Sequence, residues 1–113
     1  HEIRRIKIVQ EDGMNFVKNN PSKFDCIIID STDPIGVAKI LYSKNFLSKC
    51  YKSLSSNGII VQQSGSPIKD MKKIIQPLFK KYSELKFKDI KLSSFPMPLY
   101  PTGTWSFISA KRA

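Results

Sequence analysis

Histidine and cysteine are scarce in this chain. His1 is the one histidine, and the two cysteines, Cys26 and Cys50, lie far apart and belong to no CxxC or Cys/His cluster. Three-histidine metal sites, Cys/His zinc sites and a Ser-His-Asp triad are therefore excluded within this chain. Both cysteines are expected to be reduced, buried, small hydrophobes. Long apolar runs are lacking as well, since none approaches the roughly 20 residues that span a bilayer. The opening residues HEIRRIKIVQ alternate charged and apolar side chains, unlike a signal peptide. The expectation is a cytoplasmic protein without a membrane partner. Acid is short too: nine Asp and Glu stand against nineteen Lys and Arg, a net charge of +10. The cations are mostly lysines scattered through SKNFLSKCYKS, KDMKKIIQPLFKKY and ELKFKDIKLSS, with no Arg-rich tract. That distribution describes wet helix faces and an edge strand, so no nucleic-acid partner is expected.

What remains suffices for one domain, residues 1–113, with the hydrophobic share of 41% ordinary for a globular fold. IKIVQ (6–10) has the pattern of a short strand. In DGMNFVKNN, Asp12 can cap one or two helical turns, with Phe16 and Val17 facing inward. FDCIIID is apolar on both faces, the mark of a central parallel strand. Ser43 suits an N-cap, and Phe46, Leu47, Cys50, Tyr51 and Leu54 recur at helical spacing. SSNG should end that helix, with Asn57 or Gly58 in the left-handed cap. GIIVQQ is a further apolar strand. Ser66-Pro67 opens another helix, whose stripe is Ile68, Met71, Ile74, Ile75, Leu78, Phe79 and Tyr82. Pro77 inside it should kink or split it. LKFKDIKLSSF and TWSFISAK alternate as a closing antiparallel pair. The order β-α-β-α-β-α-β-β predicts an α/β fold: a partial Rossmann-like, methyltransferase-type sheet with helices on both faces and a C-terminal antiparallel hairpin.

In such sheets ligands bind beyond the carboxyl ends of the parallel strands. Three ends are visible: Glu11-Asp12-Gly13, Asp30 with Asp33, and Gln62-Gln63-Ser64. Either aspartate alone is most simply a turn former. The pair, with Asp12 on one neighbouring segment and Gln63 on another, points to a site for a cationic ligand.

The motifs DGMNFV, FDCIIIDSTDPIG, LYSKNFLSKCYKSLSSNGIIVQQ and PLYPTGTWSFISAK, in that order, resemble those of the spermidine synthases, polyamine aminopropyltransferases. The resemblance implies transfer of the aminopropyl group of decarboxylated S-adenosylmethionine to a diamine, usually putrescine, giving spermidine and methylthioadenosine. It implies no metal or bound cofactor, the sulfonium donor being a co-substrate, and a homo-oligomer. It assigns Asp12 and Gly13 to the adenine edge and Asp30 to catalysis. Ser31, through its carbonyl, Asp33, Gln63 and Tyr100 are assigned to the amine, with Pro101, Gly103 and Trp105 shaping the last loop. Val37 and Lys39 depart from the family's Pro-Ala-Glu at 37–39. The glycine-rich loop and N-terminal β-domain of the family have no counterpart here. In the family's strand order, 3-2-1-4-5-7-6, strands 2 and 1 would separate IKIVQ from FDCIIID, leaving a bare apolar edge. The chain is thus expected to be the C-terminal half of a catalytic domain, partnered by its own N-terminal half or by another copy. A non-catalytic oligomerising remnant and a small-molecule methyltransferase are the alternatives.

Overall fold

The computed structural model describes residues 7–31 and 36–113. Asp12 caps the first helix, α1 (Gly13–Lys18), its carboxylate accepting from Met14 N at 3.2 Å. The strand β1 (Phe24–Ile29) follows. A 3-10 stretch, Gly36–Tyr42, leads to α2 (Lys44–Ser53). Its cap is Ser43, whose hydroxyl accepts from Phe46 N at 3.1 Å and so satisfies one of the free first-turn amides. Next come β2 (Leu54–Gly65), α3 (Gln76–Glu84), β3 (Lys88–Pro96) and β4 (Thr104–Lys111).

The four strands form one sheet in the order β1-β2-β4-β3, the last four places of the expected methyltransferase-type order. β1 pairs with β2 in parallel, Ile29 opposite Gln62. β4 runs antiparallel to both β2 and β3, which gives the expected closing hairpin.

The core follows from period-2 alternation on this sheet. Ile27 and Ile29 of β1, Ile60 and Gln62 of β2, and Ile108 and Ala110 of β4 point to one side, as the register requires. There they meet Val17 of α1, Phe46, Leu47 and Cys50 of α2, and Leu78 and Tyr82 of α3 in one cluster. Each fully buried Leu or Ile contributes about 1.5–3 kcal/mol. Among the described residues, then, all three helices pack on one face. The second helical layer expected from the sequence is not among them, and the opposite face leaves Ile28 72% and Ile59 38% exposed.

Several local expectations are corrected. Residues 7–10 form no strand, and Ile8 is 88% exposed, because a strand needs a neighbour and none is offered there. Cys50 is buried as expected, but Cys26 is exposed, lying on the bare side of β1. The helix α2 stops at Ser53, before SSNG; Asn57 does take a left-handed φ of 63°, but inside a bulge of β2. Ser66 accepts from Ile68 N and Lys69 N, as a cap would, yet a five-residue π-type turn, Met71–Ile75, precedes α3. Pro77 lies in the first turn of α3, where its missing N–H costs nothing, so it divides the segment as its chemistry demands. Ile68, in the turn of residues 67–69, and Phe79, past the π-type turn, fall off the buried stripe, at 69% and 37% exposed.

Gly65 ends β2 with φ +84°, and a Cβ there would lie 2.7 Å from an Asp70 carboxylate oxygen. That carboxylate accepts from Ser66 N at 2.9 Å and is held in place. Gly65→Ala should lower stability by about 1–3 kcal/mol in urea denaturation. Burial pushes the Cys50 thiol up from 9.0 to about 12. Burial first, then the neighbouring Cys50 and Tyr42, raises the Tyr82 phenol above its ordinary 10.0. The folded chain therefore holds these protons more tightly than the unfolded chain. Stability should be full below pH 9.0 and fall as pH climbs from there toward about 12, as urea midpoints measured across that range will show.

Candidate active site

Strand polarity decides where functional side chains can meet. The parallel strands β1 and β2 finish on the same rim, and antiparallel β4 starts there. Asp30 lies one residue beyond the pair Ile29 and Gln62, and so at the level of Gln63.

A hollow of about 380 Å³ runs from this rim along the open edge of β1. Gly13, Asp30 and Ser31 line its upper end. Its walls are apolar, from Phe16, Ile27, Leu41 and Phe46. Among the described residues Asp30 is the one charged residue in this lining, although the chain as a whole carries +10. The Ser31 hydroxyl oxygen is buried and has no hydrogen-bond partner among the described residues. Such a group costs about 1–3 kcal/mol when left unsatisfied. Asp12, exposed at the cap of α1, stands immediately before Gly13.

The two adjacent glutamines have separate fates, because successive strand residues face opposite sides. Gln62 is fully buried: its Nε2 donates to Leu41 O at 2.9 Å, and its Oε1 accepts from the Tyr82 hydroxyl at 2.7 Å. Gln63 is half-buried; its Oε1 accepts from the Trp105 indole N–H at 2.8 Å, and its Nε2 donates to the Tyr42 hydroxyl. Tyr100 is 45% exposed, with its ring edge-on to Trp105 at 4.8 Å and 81°.

Gly13, Asp30 and Ser31 thus share one hollow. Gln63 and Tyr100 are joined to each other through Trp105 and are not part of that hollow's lining. Asp33 and the Val37 side chain lie outside the described residues. Lys39 is exposed and lines a different hollow with Lys73 and Lys81. Sequence reasoning passes over one residue bonded to Gln63 and names the other only for its loop. Tyr42 precedes a helix cap and carries no periodic signal, and Trp105 was assigned to the shape of its loop, with no hydrogen bond foreseen.

The loops on the rim are fastened by small hydroxyls. The Ser66 and Thr102 hydroxyls meet at 2.6 Å, linking the segment after β2 to the one before β4. The Ser106 hydroxyl donates its one proton to Gly65 O at 2.8 Å, so in the 2.7 Å contact between Ser64 and Ser106 it is Ser64 that donates.

Gln62→Leu leaves the Tyr82 hydroxyl and Leu41 carbonyl buried without partners and should cost about 2–4 kcal/mol. Gln63→Leu, at a half-buried place open to water, should cost under about 1 kcal/mol. Paired urea denaturation curves check this contrast.

Comparison with known proteins matches residues 2–113 to the spermine/spermidine synthase domain. A polyamine aminopropyltransferase of Methanocaldococcus jannaschii is 38% identical over 108 residues, covering 96% of this chain and 36% of that protein. One from Clostridium botulinum is 41% identical over 114 residues, covering 94% and 37%. Among solved structures, a spermidine synthase in complex with the transition state analogue AdoDATO superposes with a TM-score of 0.87 at 30% identity, over 95% of this chain and 36% of that one. The spermidine synthase of Thermotoga maritima gives 0.81 at 29%, over 95% and 35%. A SAM-dependent O-methyltransferase of the same organism gives 0.65 at 20%, a likeness of fold alone. The chain spans little more than a third of the length of these aminopropyltransferases. With the family match running almost from end to end, the chain belongs to the spermine/spermidine synthase family.

Proposed function

We propose that this chain is the C-terminal part of an aminopropyltransferase catalytic domain that makes spermidine and methylthioadenosine from putrescine and decarboxylated S-adenosylmethionine. It does so when a preceding segment covers the bare side of its sheet. The observation that carries this reading is the carboxylate of Asp30 in a hollow whose other described lining residues are uncharged, in a strongly basic chain. Both substrates are cations, and both need such a group.

Putrescine nitrogen is an ammonium at neutral pH, with a reference value near ~10.4, and has no lone pair to attack with. Asp30 holds that nitrogen and takes its proton, with the Ser31 carbonyl as a second acceptor. The freed lone pair forms the N–C bond to the methylene beside the sulfonium. The C–S bond breaks, its electron pair returns to sulfur, and the positive charge passes to the new secondary ammonium. The leaving group is a neutral thioether, so alignment and local proton transfer carry the acceleration. Asp12 and Gly13 receive the adenine edge. Asp33, Gln63 and Tyr100 hold the distal ammonium.

The same hollow supports the need for a covering segment. Its lower part is formed by Phe24, Cys26, Ile27 and Ile28 along the edge of β1 that is unpaired among the described residues. An exposed strand edge with apolar side chains is a template for another strand.

The test mixes the whole chain with a polypeptide supplying the preceding part of the catalytic domain. Docking is read by alkylation of Cys26, which should become protected, and activity by equimolar spermidine and methylthioadenosine. Asp30→Asn should lower kcat about 10²–10⁴-fold while leaving Cys26 protected. A complex that protects Cys26 yet forms no methylthioadenosine would refute the enzymatic reading.

A further inference from the structure

Gln63 is held at both ends of its amide by aromatic side chains from two other segments, Tyr42 before α2 and Trp105 at the start of β4. An indole N–H can only donate, so the atom it meets must be the amide oxygen. The NH₂ end is thereby turned to the Tyr42 hydroxyl, which accepts. The orientation of this amide is thus dictated by the chemistry of its neighbours. A carbonyl oxygen has two lone pairs, and Trp105 occupies one; among the described residues no other donor reaches it.

That oxygen is an acceptor suited to an ammonium group. The flipped amide would present its NH₂, two donors that repel a cation. The Trp105 ring also supports Tyr100 edge-on, so one side chain fixes the polarity of Gln63 and the seat of the tyrosine.

We infer that Trp105 and Tyr42 are positioning residues that lock the Gln63 amide with its oxygen presented as an acceptor, so that the rim selects a protonated amine. This rests on the reading of Gln63 as an amine-binding residue.

The test compares Trp105→Phe, which keeps a ring for Tyr100 and loses the N–H, with the unsubstituted chain in the complemented enzyme. KM for putrescine should rise about tenfold, the worth of one hydrogen bond to a charged group, with kcat and KM for the sulfonium donor within about twofold. Gln63→Glu carries two equivalent acceptor oxygens and no N–H, so it needs no orienting. Adding it to Trp105→Phe should restore KM to that of Gln63→Glu alone, so that losing the indole N–H no longer matters, which a merely structural defect would not allow. A KM unchanged in Trp105→Phe, or unrescued in the double variant, overturns the inference.

A second readout is independent of transfer activity. The chain has one tryptophan, so its indole N–H gives one unambiguous NMR signal. Gln63→Leu should speed solvent exchange of that proton about tenfold. Unchanged exchange overturns the lock even in a chain with no detectable activity. Altered exchange together with no methylthioadenosine from a complex that protects Cys26 refutes the enzymatic reading and leaves the lock standing.

Discussion

Parallel pairing of β1 with β2 is the constraint from which the site follows. Two parallel strands must end on the same rim, and with Ile29 opposite Gln62 that rim receives Asp30 and Gln63 at one level. Parallel strands also require a crossover connection, here the stretch 36–42 and α2, and this brings Tyr42 over the strand ends. β4 contributes Trp105 only because it runs the opposite way and begins where β2 stops. A slip of one residue between β1 and β2 would exchange the buried and bare faces of β1 and move Asp30 off this level.

The sheet is asymmetric, and the asymmetry has a thermodynamic meaning. One face is dry, closed by Leu47, Cys50, Leu78 and Tyr82; the other leaves Ile28 largely in water. A strand with one solvated face normally alternates apolar and polar residues, whereas CIII does not. The composition of β1 therefore belongs to a sheet covered on both sides. Covering Ile28 and Ile59 would add apolar burial of the kind that already holds the first face, at about 25 cal/mol per Å². The open edge of β1 adds backbone groups that a neighbouring strand would satisfy. Under the proposed function, docking and completion of the site would be one event, since Phe24, Cys26, Ile27, Ile28 and Asp30 line the same hollow.

Most of the architecture was legible because it rests on short-range rules. The caps at Asp12 and Ser43, the buried stripe of α2, the division at Pro77 and the closing hairpin all came from patterns a few residues long. The strand expected over 6–10 was not legible in the same way. Its alternation is real, but a strand exists only with a partner, and pairing is not written locally. The burial of Ile68 was misplaced because it lies in the turn of residues 67–69, before any helix, and that of Phe79 because a π-type turn changes the helical phase, which no residue count announces. Within the site, Asp30 and Gly13 could be named from their places at strand and helix ends. Which of Gln62 and Gln63 faces the ligand depends on the register and the face, both tertiary properties. The roles of Tyr42 and Trp105 depend on contacts across 21 and 42 residues of sequence.

The basic balance of the chain bears on how a polyamine would be recognised. A net charge of +10 repels a diamine at long range. That repulsion is screened over a Debye length of about 10 Å at 0.1 M salt, so it acts on approach and fades at contact. Recognition under the proposed function would then be local and made of a few well-placed acceptors. Asp30 supplies formal charge at the hollow's mouth, and the neutral amide of Gln63 adds an acceptor with no charge of its own to desolvate. A neutral acceptor works only if it cannot turn round. A donor-only indole beside it is a simple chemical means to that end, and under the proposed function it would make the orientation of one amide a condition for binding a cation on a basic protein.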